Sequence, residues 1–284
     1  MSEARVAVVT GAARGIGRAS AVALAKAGYR IAGADIATQA STAMDYEPAT
    51  PEDLAETGRL VEAAGAEWLP VVFAQRAKDA VREGLSQVTE RFGGFDVLFA
   101  NAGVQGFAPL MEMSDELWHD QIDVNLTGTA NVLRIAAPLL VERGGGRIVI
   151  TSSTQGQHGT LDGSAYSASK WGLIGLMKSA ALELGRYGIT VNAVIPGLIN
   201  TKLTRHEDRY AQIIRSGGNE PTGDVARDEQ TAAEAQRAKL PLGVPWVEPE
   251  DVAPLVVFLA SEGARMVTGT SFAATGGDSA NITA

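Results

Sequence analysis

The stretch RVAVVTGAARGIGRASAVALAKAG, residues 5–28, decides the fold. It opens on an apolar, β-branched run from Arg5 to Thr10, passes through a glycine-rich turn, and continues with helical period to Gly28. A near-continuous apolar run suits a strand buried on both faces. Such a strand followed at once by a helix is the repeating unit of a parallel sheet with helices on both sides. The turn itself, Thr10-Gly11-Ala12-Ala13-Arg14-Gly15-Ile16-Gly17, has the spacing Gly-x3-Gly-x-Gly. Glycines there let backbone N–H groups approach a pyrophosphate, and the helix N-terminus adds partial positive charge. Close packing of a helix on a strand demands glycine equally, so the turn alone does not make a binding site.

Asp35 supplies a second observation. It lies 18 residues beyond Gly17, at the end of the next apolar run, Tyr29 to Asp35. A carboxylate at that place accepts hydrogen bonds from an adenosine ribose, whereas a 2′-phosphate would be repelled by it. No arginine follows immediately, so NAD is expected over NADP; an ordinary turn aspartate is the plainer reading.

Working outward, apolar runs recur at Glu67 to Phe73, Phe95 to Ala100, Arg147 to Thr151 and Thr190 to Ile195, alternating with helical segments. This pattern predicts one α/β domain over 1–284, built on a doubly wound parallel sheet. The segment TPEDLAETGRLVEAAG starts a helix with Thr50 as N-cap, Pro51 at the first helical position and Asp53 near the capping-box place, and it ends at Gly65. Between Asp35 and this cap the polar run exceeds the ~2–6 residues of an ordinary strand-to-helix turn. An insertion is expected at 37–49. The polar region 202–246, with SGGNEPTGD and no strand pattern, is read as a lid over a substrate site, because it leaves a strand's carboxyl end. A plain surface excursion is the alternative.

The 284 residues are 45% hydrophobic, enough for one sizeable core. Lys plus Arg number 24 against 33 Asp plus Glu, a balance of −9 with no basic run, so nucleic acid and anionic membrane are not expected partners. With no cysteine and three scattered histidines, neither disulfides nor a metal site is expected. No signal peptide and no apolar window of about 18 residues is visible. A soluble, cytoplasmic protein is the expectation.

In SAYSASKWG, Tyr166 and Lys170 stand four residues apart, hence on one helix face. A phenol of pKa ~10 is a poor base at neutral pH, and a fixed ammonium nearby is a direct way to favour the phenolate. Upstream, Ser153 follows the run RIVIT, where its hydroxyl could meet a reacting carbonyl, and Asn125 in DVNLTG and NAG at Asn101 to Gly103 add polar groups beside the same sheet edge. Alone, a Tyr and Lys at this spacing form an ordinary amphipathic pair; together with the others they form a constellation.

These motifs, in this order and ending in PGLINT, resemble those of the short-chain dehydrogenase/reductase family over essentially the whole chain. The resemblance implies a Rossmann fold of about seven parallel strands, usually in a homotetramer or dimer, and hydride transfer between a secondary alcohol or ketone and a nicotinamide. Carried over by position, Tyr166 is the general acid/base, Lys170 lowers its pKa and holds the nicotinamide ribose, Ser153 stabilises the carbonyl oxygen and Asn125 holds a water in the proton relay. The cofactor contacts so implied are Gly11, Arg14, Gly15, Ile16, Gly17, Asp35, Ile36, Ala74, Gln75, Asn101, Ala102, Gly103, Tyr166, Lys170, Pro196, Gly197, Ile199 and Thr201. The segments YEPATPEDLAETGRLVEAAG and VPWVEPEDVAPLVVFLASEGARMVTG resemble carveol-dehydrogenase-like, mycofactocin-coupled members, in which an insertion follows the second strand and NAD is often held tightly.

The chain departs from the family at Ala74, where an Asp usually bonds the adenine amino group, and at Ala77, where a second Asp is common; Gln75 is expected to compensate. The ending AATGGD, with Asp278 shifted, is expected to bear on subunit contacts. Substrate-lining candidates are Val104, Gln105, Gln155, His158, Leu161, Leu198 and Trp246, suiting a cyclic or otherwise hydrophobic alcohol or ketone. His158 is read as a loop histidine, not an acid/base. A catalytically silent nucleotide sensor or scaffold is the alternative function, against which the complete Ser, Tyr, Lys and Asn set argues.

Overall fold

The computed structural model describes residues 4–41 and 43–281; Thr42, within the expected insertion, and the chain ends lie outside the described residues. Seven strands form one parallel sheet: β1 (Val6–Thr10), β2 (Arg30–Asp35), β3 (Trp68–Val72), β4 (Val97–Ala100), β5 (Gly146–Thr151), β6 (Ile189–Pro196) and β7 (Ser271–Ala274). Their order is β3-β2-β1-β4-β5-β6-β7. Six of the strands fall on the apolar runs of the sequence. The seventh does not: β7 is short and only partly buried, so SFAA carries no run that periodicity could detect.

Alternate residues of the inner strands enter two separate cores. Val6, Val8, Leu98, Ala100, Ile148 and Ile150 face α3 (Lys78–Phe92), α5 (Thr129–Glu142) and α6 (Ser164–Leu184), through Leu85, Val88, Leu133, Leu140, Leu173 and Met177. Ala7, Val9, Val97, Phe99 and Val149 face α1 (Gly15–Lys26), α2 (Pro51–Ala63) and α9 (Pro249–Ala260), through Leu24, Leu54, Val61, Val256 and Leu259. Burial on both faces is why these strands read as continuous apolar runs rather than alternating ones.

The helix α4 (Asp115–Gln121) runs through a π-helical segment, Ile122–Gly128, into α5. The continuous helix Asp115–Glu142 has a mean hydropathy of 1.3 in its most apolar stretch, and by length and composition it could cross a membrane, contrary to the expectation from sequence. Half of that stretch is buried within the domain, as a core helix requires. Region 202–246 is not an open loop but two helices, α7 (Glu207–Ser216) and α8 (Val225–Lys239), packed on each other through Tyr210, Ile213, Ala232 and Ala233.

The start of α2 is as read from sequence. Thr50 Oγ1 accepts from the Asp53 N–H at 3.1 Å, and Asp53 Oδ2 accepts from the Thr50 N–H at 3.0 Å. Loss of this reciprocal cap should cost about 1 kcal/mol. Thr50→Ala is therefore expected to lower the midpoint of thermal unfolding by a few degrees while Thr50→Ser largely preserves it; equal midpoints for all three proteins would contradict the assigned cap.

Candidate active site

The sheet order reverses between β1 and β4, and a crevice opens at their carboxyl ends. Hydrogen bonds fix its floor. Thr10 Oγ1 accepts the backbone N–H groups of Asn101 and Ala102 at 3.0 and 3.1 Å. Asn101 Nδ2 donates to the Thr10 carbonyl at 3.1 Å, and Asn101 Oδ1 accepts from the Thr151 hydroxyl at 3.0 Å. Above this junction lies a cavity of about 890 Å³, which runs from Asp35 past Gly103 to Tyr166 and on to Gln212 and Lys239.

At one end Gly11, Arg14, Gly15 and Ile16 line the cavity. Gly11 and Gly15 have φ of +68° and +56°, left-handed values that a side chain would strain. Arg14 stands at the N-cap of α1 and its side chain makes no capping hydrogen bond, so the first N–H groups of the helix have no side-chain cap from it. That cradle suits a pyrophosphate. Gly17 corrects the expectation of a cofactor contact: it does not line the cavity, and a Cβ there would stand 1.9 Å from the Gly11 carbonyl oxygen. It is a packing glycine.

Asp35 lines the same end beside Ile36. Its Oδ2 accepts from the Ala13 N–H at 3.0 Å and its Oδ1 from the Ala37 N–H at 2.9 Å, which fixes the carboxylate while leaving lone pairs for hydroxyl donors. Ala74 presents no hydrogen-bonding side chain. Gln75, expected to compensate, lines the cavity; its Nε2 donates to the carbonyls of Ala102 and Val124 at 3.0 and 2.7 Å, and its Oε1 is shielded from solvent without a partner.

The insertion 37–49 has no regular secondary structure among its described residues, and Thr38 to Ser41, Met44, Tyr46, Pro48 and Ala49 line the cavity. Its anchors come from both halves of the site. Arg14 Nη2 donates to the Glu47 carbonyl at 2.7 Å and Arg76 Nη2 to the Ala40 carbonyl at 3.1 Å. Lys202 Nζ pairs with Glu47 Oε2 at 2.9 Å, His206 Nδ1 with Asp45 Oδ1 at 2.7 Å, and the Asp208 N–H donates to Asp45 Oδ2 at 3.2 Å. The Tyr46 hydroxyl accepts from the Gln105 N–H at 3.2 Å. The insertion is thus a strap tied to the phosphate turn, to β4's loop and to the root of α7.

The catalytic candidates converge at the middle of the cavity. Tyr166 and Lys170 are buried on one face of α6, with Lys170 Nζ 5.4 Å from the phenol ring centre. Ser153, just past β5, accepts from the Gln155 N–H at 3.2 Å, and its hydroxyl is near enough to stabilise an ionised Tyr166. Burial nevertheless pushes the phenol up to about 12, outweighing Ser153 and the charge of Arg209, the groups that pull it down. Lys170, itself brought down to about 8 by burial, donates to the Thr151 carbonyl at 3.0 Å. In this geometry the ammonium, 5.4 Å from the ring centre, gives a hydrogen bond to β5, and burial sets the direction in which Tyr166 shifts.

Asn125 stands in the π-helical segment, fully buried and outside the cavity lining. Its Oδ1 accepts from the Val104 N–H at 2.8 Å, and its Nδ2 donates to the Val104 carbonyl and to Ser169 Oγ at 2.9 and 3.0 Å. The side chain pins the loop after β4 to α6.

Pro196, Gly197, Ile199 and Thr201 line the cavity beyond β6, as do Ala102, Val104, Gln105, Gln155, His158, Leu161 and Leu198. Trp246 does not. It packs behind Leu198 with Tyr210 and Ile213, and the Arg205 guanidinium covers its ring at 4.4 Å. Asp278, expected to bear on subunit contacts, instead lines the cavity and pairs with Lys239 Nζ at 2.8 Å. Sequence reasoning passed over Tyr46, Arg209, Gln212, Ile213 and Ser216. The last four share one face of α7 at i, i+3, i+4 and i+7, a period legible in EDRYAQIIRS.

Burial disfavours ionised Asp45, yet the hydrogen bonds and charge of His206 and the Asp208 N–H outweigh it and hold the carboxyl below its ordinary range. A depressed folded-state pKa stabilises above the unfolded value, ~3.9, and that contribution is lost as pH falls through the folded value. Asp45→Asn is expected to speed amide hydrogen exchange in 43–49 and at the start of α7 at neutral pH. Unchanged exchange there would contradict the tie.

The model of the family described as short chain dehydrogenase matches residues 5–211. An uncharacterized NAD-dependent oxidoreductase of Mycobacterium tuberculosis is 38% identical over 93% of this chain and 92% of its own. The (-)-trans-carveol dehydrogenase of Rhodococcus erythropolis is 34% identical over 95% of both chains. Among solved structures, carveol dehydrogenase from Mycobacterium avium in complex with NAD superposes with a TM-score of 0.88 at 35% identity, covering 98% of each chain. The matched span, the sheet order and the constellation at the crevice agree, and the chain belongs to the short-chain dehydrogenase/reductase family of oxidoreductases.

Proposed function

We propose that this protein is an NAD-dependent oxidoreductase that interconverts a secondary alcohol and a ketone, with Tyr166 as general acid/base. The observation that carries the reading is one continuous cavity with a backbone-fixed Asp35 carboxylate at one end and Tyr166, Ser153 and Lys170 toward the other. Asp35 would hold the adenosine ribose, the turn Gly11 to Ile16 the pyrophosphate, and Asn101, Lys170, Pro196, Gly197, Ile199 and Thr201 the nicotinamide half. A bound nicotinamide supplies the hydride acceptor or donor. A carveol dehydrogenase among the relatives supports a cyclic, mainly apolar substrate, as do Leu161, Leu198 and Ile213 in the lining.

The chain's own groups divide the work. Ser153 would orient the substrate oxygen, and Tyr166 would give that oxygen a proton during reduction or remove one during oxidation. Asn125 acts by holding the loop after β4 in place. The helices α7 and α8, strapped to the insertion, would serve as the lid. Trp171 and Leu182, exposed on α6, support assembly as a homotetramer or dimer, and the proposed location is the cytoplasm.

General acid/base catalysis contributes typically ~10²–10⁴-fold. In NADH-formation assays on a panel of secondary alcohols, Tyr166→Phe should lose turnover by about that factor and bind NADH within a few-fold of the parent. Unchanged turnover would overturn the assignment. A Tyr166 held near 12 is protonated at neutral pH, ready for reduction. Oxidation needs the rarer phenolate, so its kcat/KM should rise between pH 7 and 9 while that of reduction does not rise; an oxidation profile flat over this range would contradict the assigned base.

A further inference from the structure

Arg209 is the third residue of α7, and its side chain lines the inner end of the cavity. Four other cations of this region have acidic partners: Lys202 has Glu47, Arg205 has Glu229, Arg215 has Asp162 at 4.0 Å, and Lys239 has Asp278. Arg209 has none within ion-pairing distance among the described residues. Its hydrogen bond runs from Nη1 to the neutral Gln212 Oε1 at 2.7 Å, and its Nε is shielded from solvent without a partner. Gln212 is itself held, because its Nε2 donates to the Leu161 carbonyl at 3.1 Å and to Ser216 Oγ at 2.7 Å. The guanidinium lies over the Phe107 ring, 4.8 Å from its centre.

A guanidinium so placed is oriented on two sides and still has most of its fork of donors unused. Burial lowers Arg209 only to about 10, so it is charged at neutral pH. The side chain is half-buried, and a planar anion would satisfy both its charge and its unused donors. The carboxylate whose charge acts on it, Asp278, is already held by Lys239 at 2.8 Å. Arg209 and Tyr166 line the same cavity.

We propose that Arg209 is a specificity-determining anion receptor, and that the alcohol or ketone handled at Tyr166 carries a carboxylate that the guanidinium binds. The remaining lining near it, Leu161, Leu198, Ile213 and the amides of Gln105 and Gln155, suits an apolar carbon skeleton between the two polar ends. This inference rests on the oxidoreductase reading above and narrows its substrate class to hydroxy or keto acids.

The test uses cyclic and open-chain secondary alcohols, each as carboxylate and as the matched carboxamide. Hydrogen bonds to a charged group predict a kcat/KM for the carboxylate roughly 10- to 100-fold above that of the carboxamide. In Arg209→Gln this ratio should fall to near one, with the change mainly in KM, and Arg209→Lys should restore part of it. Independently of turnover, calorimetric titration of the NADH-saturated protein should show binding of cyclohexanecarboxylate, weakened in Arg209→Gln, and little binding of cyclohexanecarboxamide. Equal handling of the two members, or a carboxylate preference that survives Arg209→Gln, would overturn the inference while leaving the oxidoreductase reading intact. NADH formation from no alcohol of the panel would sink that reading instead, and the titration would then decide whether Arg209 receives a carboxylate.

Discussion

The site depends on the hydrogen-bonded junction of Thr10, Asn101 and Thr151, which locks together the carboxyl ends of β1, β4 and β5. The sheet order reverses between β1 and β4, so the chain leaves these two strands in opposite directions and a crevice must open between their exits. Without the Thr10 hydroxyl and the Asn101 carboxamide, backbone polar groups at that exit would need other partners. With them satisfied, the glycine turn, Asp35 and the residues of α6 are held on one rigid floor. The residues that would meet a cofactor thus sit on strand ends and a buried helix, and the rest of the cavity lining comes from the segments above.

Two added segments build that upper half, and they are tied to each other. The strap 37–49 meets the root of α7 through Asp45 with His206 and Asp208, and through Glu47 with Lys202. Glu47 also receives Arg14 of the glycine turn on its carbonyl, so one residue joins the turn, the strap and the segment leading into α7. Movement of α7 away from the cavity would have to break or carry these contacts. The helix that presents Arg209 and Gln212 to the chamber is therefore coupled to the segment that lines the Asp35 end of the cavity.

Much of this was legible in the sequence because each signal had a single physical cause. Strands buried on both faces read as apolar runs, and β1 to β6 were found that way. The cap at Thr50 and the glycine stops at Gly28 and Gly65 declared the helix ends. What failed did so where contacts between distant segments override local pattern. Gly17 looked like a ligand glycine and is a packing one. Trp246 looked like a lining residue, but it closes the small apolar cluster behind Leu198. The spacing of Tyr166 and Lys170 does place both on one face of α6, but it does not show the bond from Lys170 to the Thr151 carbonyl. Tyr46 stands in a polar stretch whose partners lie up to 161 residues away, as for the pair of Asp45 and His206, and no window of sequence carries that information.

The central claim is that Asp35 makes this crevice a site for NAD. Its carboxylate is held by two backbone N–H groups at the end of β2 and cannot turn away from a 2′-phosphate, while Arg14, the nearest arginine of the turn, is bound to the strap. Fluorescence titration of the wild-type protein with NADH and NADPH in parallel measures this directly. The account predicts saturable binding of NADH with NADPH weaker by at least tenfold. Equal or tighter binding of NADPH would contradict it.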